Sequence, residues 1–194
     1  VTAHSTNWSE GQIVRSVARQ TFNRNALVMV DRCRWTGNEC DALVVTMDLR
    51  IIDLEVKISR SDLKADAKKD KWWKTSPKDW ALRPDGTMGA VDTPDKKLTW
   101  PPKVWKHYYV MPRDIWRPEL EGSLPSEASG ILLVSEQQVG DTPYGISLYR
   151  RAKPNRDAEK LLPQQVMDIA RLANIRMWDA YDMKASAQET QACS

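Results

Sequence analysis

Long hydrophobic runs are missing from this chain. The longest unbroken apolar stretch is Ala26 to Val30, far short of the about 20 residues a membrane helix needs, so no membrane partner is expected. The N-terminal stretch holds His4 and Glu10 but no basic flank leading into an apolar segment, which speaks against a signal peptide. Cysteine is sparse and odd in number: Cys33, Cys40 and Cys193, with no C-x-x-C pair. A disulfide framework or a four-cysteine zinc site is therefore not expected, and a cytoplasmic location is. Cys33 and Cys40 could pair, although Cys40 reads as a strand residue. The net charge of +3 is too small to name a partner. No glycine-rich phosphate loop and no G-x-S-x-G elbow is present, which disfavours an ATP-driven motor and a serine hydrolase. Phenylalanine occurs once against nine tryptophans, a bias that fits either stacking surfaces or a tryptophan-rich core and loop set.

What is present is the composition of a globular chain. Of 194 residues, 41% are hydrophobic and 28% charged, enough to bury a core without staples. The pattern predicts one domain over 1–185, with a loop or insertion at 74–103 and a flexible tail at 186–194. Ser9 reads as an N-cap with Gln12 as its capping-box partner, and Ile13, Val14, Val17, Ala18 and Phe22 recur at helical spacing. Ala26–Val30, Ala42–Thr46 and Ile51–Ile58 read as a strand meander. A second helix is expected over Ser61–Trp73, with Lys64, Lys68 and Lys71 on one face. Lys74 to Pro102 carries prolines, glycines and tryptophans without periodicity, and long loops in compact domains are more often functional than idle. From Lys64 to Lys106 eleven Lys/Arg oppose six Asp, a local excess above the whole-chain balance. Val104–Met111, Ile131–Ser135 and Tyr144–Arg150 read as further strands, with Pro112–Ser129 irregular. Pro163 opens a last helix with Val166, Ile169, Ala170, Ala173 and Met177 on one face, fraying after Lys184.

Chemistry concentrates in two of these strands. In Ile51–Ile58, Asp53, Glu55 and Lys57 point one way and Ile52, Leu54, Val56 and Ile58 the other. An acid, Asp41, opens the preceding strand. If the hairpin sets Asp41 opposite Glu55, their side chains lie about 5 Å apart on one face. Carboxylates that close repel unless a cation lies between them, and hard oxygen donors suit magnesium. Register decides this. A two-residue Asp48-Leu49 turn would set Asp41 against Val56, whereas a three-residue Met47–Leu49 loop or a bulge sets it against Glu55. The competing reading is a half-exposed strand whose Asp53, Glu55 and Lys57 meet solvent. Four other acid-x-lysine pairs occur (Asp62/Lys64, Asp66/Lys68, Asp95/Lys97, Asp182/Lys184), but only Glu55/Lys57 lies in an alternating apolar strand with a second acid on the strand before it.

Asp41-x13-Glu55-Val56-Lys57, followed by Ile58-Ser59-Arg60-Ser61-Asp62, resembles the PD-(D/E)xK nuclease superfamily. The likeness is closest to its small phage and bacterial members, including those similar to the MmcB-type DNA repair proteins. It covers Ser9 to Trp73 well and Val104 to Ser135 loosely. The resemblance implies an α/β restriction-endonuclease-like core, a mixed central β-sheet flanked by helices with the Trp/Pro-rich stretch as an insertion. It implies a magnesium-dependent DNA nuclease, a hydrolase that would also accept manganese. Asp41, Glu55 and Lys57 would be catalytic. Asp41, Glu55 and the backbone carbonyl of Val56 would hold the metal, joined by Glu10 from the first helix. The family's proline is absent, since Cys40 precedes Asp41.

The neighbours of this trio carry two readings each. Glu10 also suits a helix first turn through the helix dipole. Ser59 and Arg60 leave the strand where a phosphate could be met, while Ser61 could equally be an N-cap. Lys64, Lys68 and Lys71 read as a DNA-backbone contact or as a solvated face interleaved with Asp66 and Asp70. Trp72, Trp73, Trp80, Trp100 and Trp105 could stack bases, but pinning a loop to the core is the simpler role for any one of them. His107 reads as structural. Two functions of other classes compete with the nuclease: a catalytically inactive nucleic-acid-binding protein of the same fold, and a phage or defence protein-interaction module. DNA is the expected partner, and cutting both strands usually takes two active sites, which makes a homodimer a candidate assembly.

Overall fold

Side chains alternating along short β-branched runs build the centre of the molecule. The computed structural model describes residues 8–74, 79–82, 87–91 and 95–192. It shows a mixed α/β fold with a central β-sheet flanked by helices. Six strands form the sheet: β1 (Ala26–Cys33), β2 (Cys40–Thr46), β3 (Ile51–Val56), β4 (Lys106–Pro112), β5 (Gly130–Ser135) and β6 (Gly145–Arg150), paired in chain order. The β1–β2, β2–β3 and β5–β6 pairs are antiparallel, and β3–β4 and β4–β5 are parallel. All six residues of β3 are buried, as a strand with neighbours on both edges and cover on both faces must be.

Helix α1 (Glu10–Val17) starts after Ser9, whose backbone is extended but whose hydroxyl makes no cap bond. It continues to Phe22 as a π-helical stretch. Its Ile13, Val17 and Phe22 pack on Ala42, Val44, Ile52, Leu54 and Val56, and this face of the sheet is apolar. The opposite face has two covers. Helix α3 (Pro163–Ala192) lays Val166 and Ile169 over Val30, Leu43, Val45 and Ile51. Farther along, Leu63, Trp72, Trp116, Leu120 and Leu124 cover Tyr109, Met111, Ile131 and Leu133.

Several expectations change here. The helix expected over Ser61–Trp73 is only α2 (Arg60–Ala65), followed by 3-10 turns at Asp66–Lys68 and Asp70–Trp72. Lys69 between the turns has extended backbone (φ −69°, ψ 140°), which breaks the helical path. Within 74–103 the chain is not simply a loop: Trp73–Lys74 pairs with Lys96–Lys97, and Asp79–Leu82 with Met88–Val91. The final helix runs past Lys184 to Ala192, into the stretch expected as a tail. Cys33 and Cys40 face each other across β1–β2 as free thiols, Cys40 donating to the Cys33 carbonyl at 3.3 Å. Cys193 lies outside the described residues. Among the described residues no helix is long and apolar enough to cross a membrane.

Candidate functional site

The β2–β3 hairpin fixes the register on which the site depends. Val45 pairs with Ile51 and Ala42 with Leu54, and Thr46 N–H donates to the Arg50 carbonyl. The loop is therefore Met47–Leu49, three residues long. Leu49 takes the left-handed conformation (φ 63°) that closes a three-residue hairpin, a position glycine usually fills. Thr46 Oγ1 donates to Asp48 at 2.5 Å and accepts from Arg50 N–H at 3.0 Å, fastening the turn from inside. Continuing this register by one residue sets Asp41 against Glu55 on one face of the sheet.

At that point the strands part. Asp41 Oδ2 accepts a 2.6 Å hydrogen bond from the Val56 amide, so a side chain takes the place of a ladder carbonyl. The N–H and C=O of one strand residue point to the same edge, so the Val56 carbonyl also projects to the β2 side. Its neighbour Lys57 turns its amide the other way, to the Val110 carbonyl of β4 at 2.9 Å.

Asp53, Glu55 and Lys57 do not meet solvent. They are 3%, 2% and 2% exposed, so the half-exposed-strand alternative fails. Burying charge is costly unless it is paired, and here the pairing is dense. Glu55 accepts from Lys57 at 2.9 Å, from Lys71 at 2.7 Å, and from Lys69. Asp66, fully buried, lies 3.0 Å from both Lys57 and Lys69 and accepts from Trp72 Nε1 at 3.0 Å and the Tyr109 hydroxyl at 2.5 Å. Asp53 lies 3.7 Å from Lys71 and 3.9 Å from His107 Nε2, and its Oδ1 has no hydrogen-bond partner. His107 is packed edge-on between Trp72 and Tyr109, its Nδ1 2.9 Å from the Ser129 hydroxyl.

These surroundings pull the acids apart. Burial, then the Glu55 charge, pushes Asp41 up to about 6, against the opposing Val56 amide and Lys57. Burial pushes Asp53 up to about 7, with Lys71 opposing and Glu55 and Asp66 adding to the rise. Burial would raise Asp66 as well, but Lys71, Lys57 and the Tyr109 hydroxyl outweigh it and hold this carboxyl below the usual carboxylate range. Burial, with Lys71 beside it, depresses His107 far below the ordinary histidine value and leaves the ring neutral. Lys71 moves up despite burial, because Asp53, Glu55 and Asp66 surround it.

The remaining expected residues divide. Glu10, exposed in the first turn of α1, shares a cleft of about 470 Å³ with Asp41, Val14 and Arg32. Ser59, not Ser61, caps α2: its hydroxyl accepts from Asp62 N–H at 3.1 Å. Arg60 is tied to the carbonyls of Ile115 and Asp114. Lys64 and Lys68 are exposed, but Lys71 is buried in the ion cluster and does not share their surface. The break at Lys69 turns it inward. Of the tryptophans, Trp72 is core and Trp100 is pinned to the Lys153 carbonyl. Trp105 is half-buried under the Lys106 ammonium at 4.2 Å, and Trp73 is exposed. The Trp80 side chain lies outside the described residues.

Asp66, Lys69 and Tyr109 were not singled out by sequence. For Asp66 a signal existed: it stands three residues after Leu63, and i,i+3 neighbours share a helix face. The buried leucine therefore carries the aspartate inward with it. Among the described residues no three His, Cys, Asp or Glu side chains converge closely enough to hold a metal ion. The donor set is nevertheless of the hard-oxygen kind: two carboxylates and a carbonyl at the β2–β3 divergence. Three ammonium groups already occupy both Glu55 oxygens. Asp41, Glu55 and the Val56 carbonyl would serve a divalent cation only once one of those ammonium groups is displaced.

No protein-family model and no curated protein matches this chain. A solved structure does: a protein of unknown function from Silicibacter pomeroyi, 17% identical, matching over 94% of this chain and 96% of its own with a TM-score of 0.51. At that identity the likeness is one of fold, shared over nearly the full length of both chains.

Proposed function

We propose that this chain is a magnesium-dependent DNA nuclease of the PD-(D/E)xK type on a restriction-endonuclease-like core, with 74–103 as its insertion. The observation that carries the reading is the register: the ladder ends at Ala42 with Leu54, its extension by one residue sets Asp41 against Glu55, and Lys57 bonds Glu55. Asp41, Glu55 and the Val56 carbonyl would hold the ion, and Glu10 lines a cleft with Asp41. Bound there, magnesium supplies charge to the scissile phosphate and a water of lowered pKa. The Val56 amide fixes the Asp41 carboxylate, and Lys57, held between Glu55 and Asp66, is the fixed positive charge for a pentacoordinate phosphate. Lys64 and Lys68 offer exposed cations to the DNA backbone beside α2.

Burial of Glu55 and Lys57 favours one second reading, a nucleic-acid-binding protein that keeps the trio as a structural ion network. Cleavage of plasmid and labelled oligonucleotides in magnesium, manganese or EDTA separates the two. The nuclease reading expects metal-dependent cutting that falls about 10²-fold or more in Glu55→Ala and in Lys57→Ala. Undiminished cutting by the Glu55 variant overturns it. Salt-sensitive binding with no cutting selects the second reading.

A further inference from the structure

The three lysines on Glu55 are not equivalent. Lys57 and Lys71 are 2% exposed, whereas Lys69 is 45% exposed. Lys57 is held by the β3–β4 backbone and Lys71 by the packing of Trp72. Lys69 stands alone between two 3-10 turns, on the one residue of 66–72 with extended backbone. Its ammonium bridges Glu55 Oε1 and Asp66 Oδ1. Rotation about its own side-chain bonds carries it to solvent without moving a helix or strand.

Formal charge gives this lysine a purpose. Asp41, Asp53, Glu55, Asp62 and Asp66 are five carboxyl groups around three ammonium groups, Lys57, Lys69 and Lys71, with Asp62 3.5 Å from Lys57. Acids outnumber cations, and among the described residues Asp41 has the Val56 amide but no ammonium within ion-pair distance. Exchanging one ammonium for a divalent ion adds one positive charge to this acid-rich cluster. Of the three only Lys69 reaches solvent, and leaving means giving up its pairs with both Glu55 and Asp66.

We propose that Lys69 is an exchangeable internal cation: it holds Glu55 until a divalent ion arrives, then carries its charge to a phosphate of the substrate. The proposal rests on the nuclease reading and adds a substrate-contacting residue to it. No bond is made or broken in the exchange. Two ion pairs, Lys69 with Glu55 and with Asp66, give way to a metal–carboxylate contact at Glu55 and an ammonium–phosphate contact, while Asp66 keeps Lys57.

Two binding measurements on the full chain test it. Mn2+ binding by calorimetry or by loss of the free-ion EPR signal is compared in wild type, Lys69→Met, Lys69→Arg and Glu55→Gln. Affinity for a labelled oligonucleotide is measured in Ca2+, as a non-cleaving substitute, for the same proteins. Thermal melts confirm that each variant is folded. Lys69→Met, which keeps the apolar stem and loses the competitor, is expected to bind Mn2+ about tenfold or more tightly than wild type, since competition by one paired ammonium is worth about 1.4 kcal/mol per decade. The same variant is expected to bind the oligonucleotide several-fold more weakly. Lys69→Arg retains a cation and should resemble wild type in both. A lysine with only a structural role does not move the two affinities in opposite directions. Unchanged or weaker Mn2+ binding by Lys69→Met, with binding in wild type abolished by Glu55→Gln, overturns the exchange and leaves the nuclease reading standing. Tighter Mn2+ binding with unaltered oligonucleotide affinity overturns the hand-over to phosphate. Absence of Mn2+ binding in every protein removes the metal site, and the exchange with it.

Discussion

The two faces of the sheet are built on opposite principles, and strand β3 belongs to both. Toward α1 it offers Ile52, Leu54 and Val56 to an apolar core. Toward the 60–72 segment it offers Asp53 and Glu55, with Lys57 at its end, to four further charged side chains: Asp62, Asp66, Lys69 and Lys71. The first face follows the ordinary economy of folding, in which each Å² of apolar surface removed from water contributes about 25 cal/mol. The second does not, since buried ion pairs seldom outperform apolar residues of similar volume. A chain seeking only stability would have alternated Ile and Val on both sides. What the contrast teaches is that charge lies under cover at one end of one sheet, where apolar burial alone does not account for it.

That contrast can be broken by mutation. The largest effect is expected from Asp66→Asn, about 3–5 kcal/mol at neutral pH, because it removes the buried charge that Lys57 and Lys69 share and leaves them with Lys71 crowded on Glu55. On the apolar face, Leu54→Ala is expected to cost about 2–5 kcal/mol through lost burial and a cavity. Denaturant unfolding at pH 7 and pH 3 distinguishes them. Asp66 is held below the usual carboxylate range, so its contribution is complete above the unfolded value near 4 and is lost as pH falls toward the folded one. The Asp66→Asn penalty should therefore shrink at pH 3, whereas the Leu54→Ala penalty should not. Equal shrinkage, or none, would erase the distinction between the faces.

A smaller effect of opposite sign is expected at Asp53. Its folded value is pushed up to about 7, so the native state binds the proton more tightly than the unfolded chain. Stability tied to it is present below the unfolded value near 4 and is lost as pH rises through 7. Asp53→Asn should match wild type only below about pH 4, and the gap should open between pH 4 and 7 to about 1–2 kcal/mol or more at pH 8. A variant that is less stable at pH 8 would show that Lys71 needs this charge. Smallest of all, Lys64→Ala and Lys68→Ala should change stability by less than about 0.5 kcal/mol. Each should lower the salt dependence of oligonucleotide binding by about one unit of log–log slope, read from titrations at several salt concentrations.

The strand meander and its acid–E-x-K order were legible in sequence because alternation has an unambiguous period of two. The register was legible only as a condition, since a two-residue and a three-residue loop both fit Met47–Arg50, and a left-handed Leu49 carries no sequence flag. The segment 60–72 was misread for a tertiary reason. Lys64, Lys68 and Lys71 have the spacing of a helix face, but the pull of Asp53 and Glu55 on Lys71 and the burial of Trp72 break the helix at Lys69. Local pattern cannot see an attraction that arrives from another strand. The short ladders inside 74–103 were invisible for want of periodicity, and that Cys33 and Cys40 face each other as free thiols needed the β1–β2 register.

The neck of the 74–103 excursion has a consequence for engineering. Trp73–Lys74 pairs with Lys96–Lys97, and Leu98 N–H bonds the Trp72 carbonyl at 2.8 Å, so the chain is tied shut just before it returns to β4. Lengthening a chain segment beyond a closed neck costs little, about 0.6 kcal/mol per doubling. The parallel step from β3 to β4 is thus insulated from the length of the segment it spans. Reporter peptides or whole domains could be grafted between Lys74 and Lys96, with the strand that bears Glu55 left undisturbed.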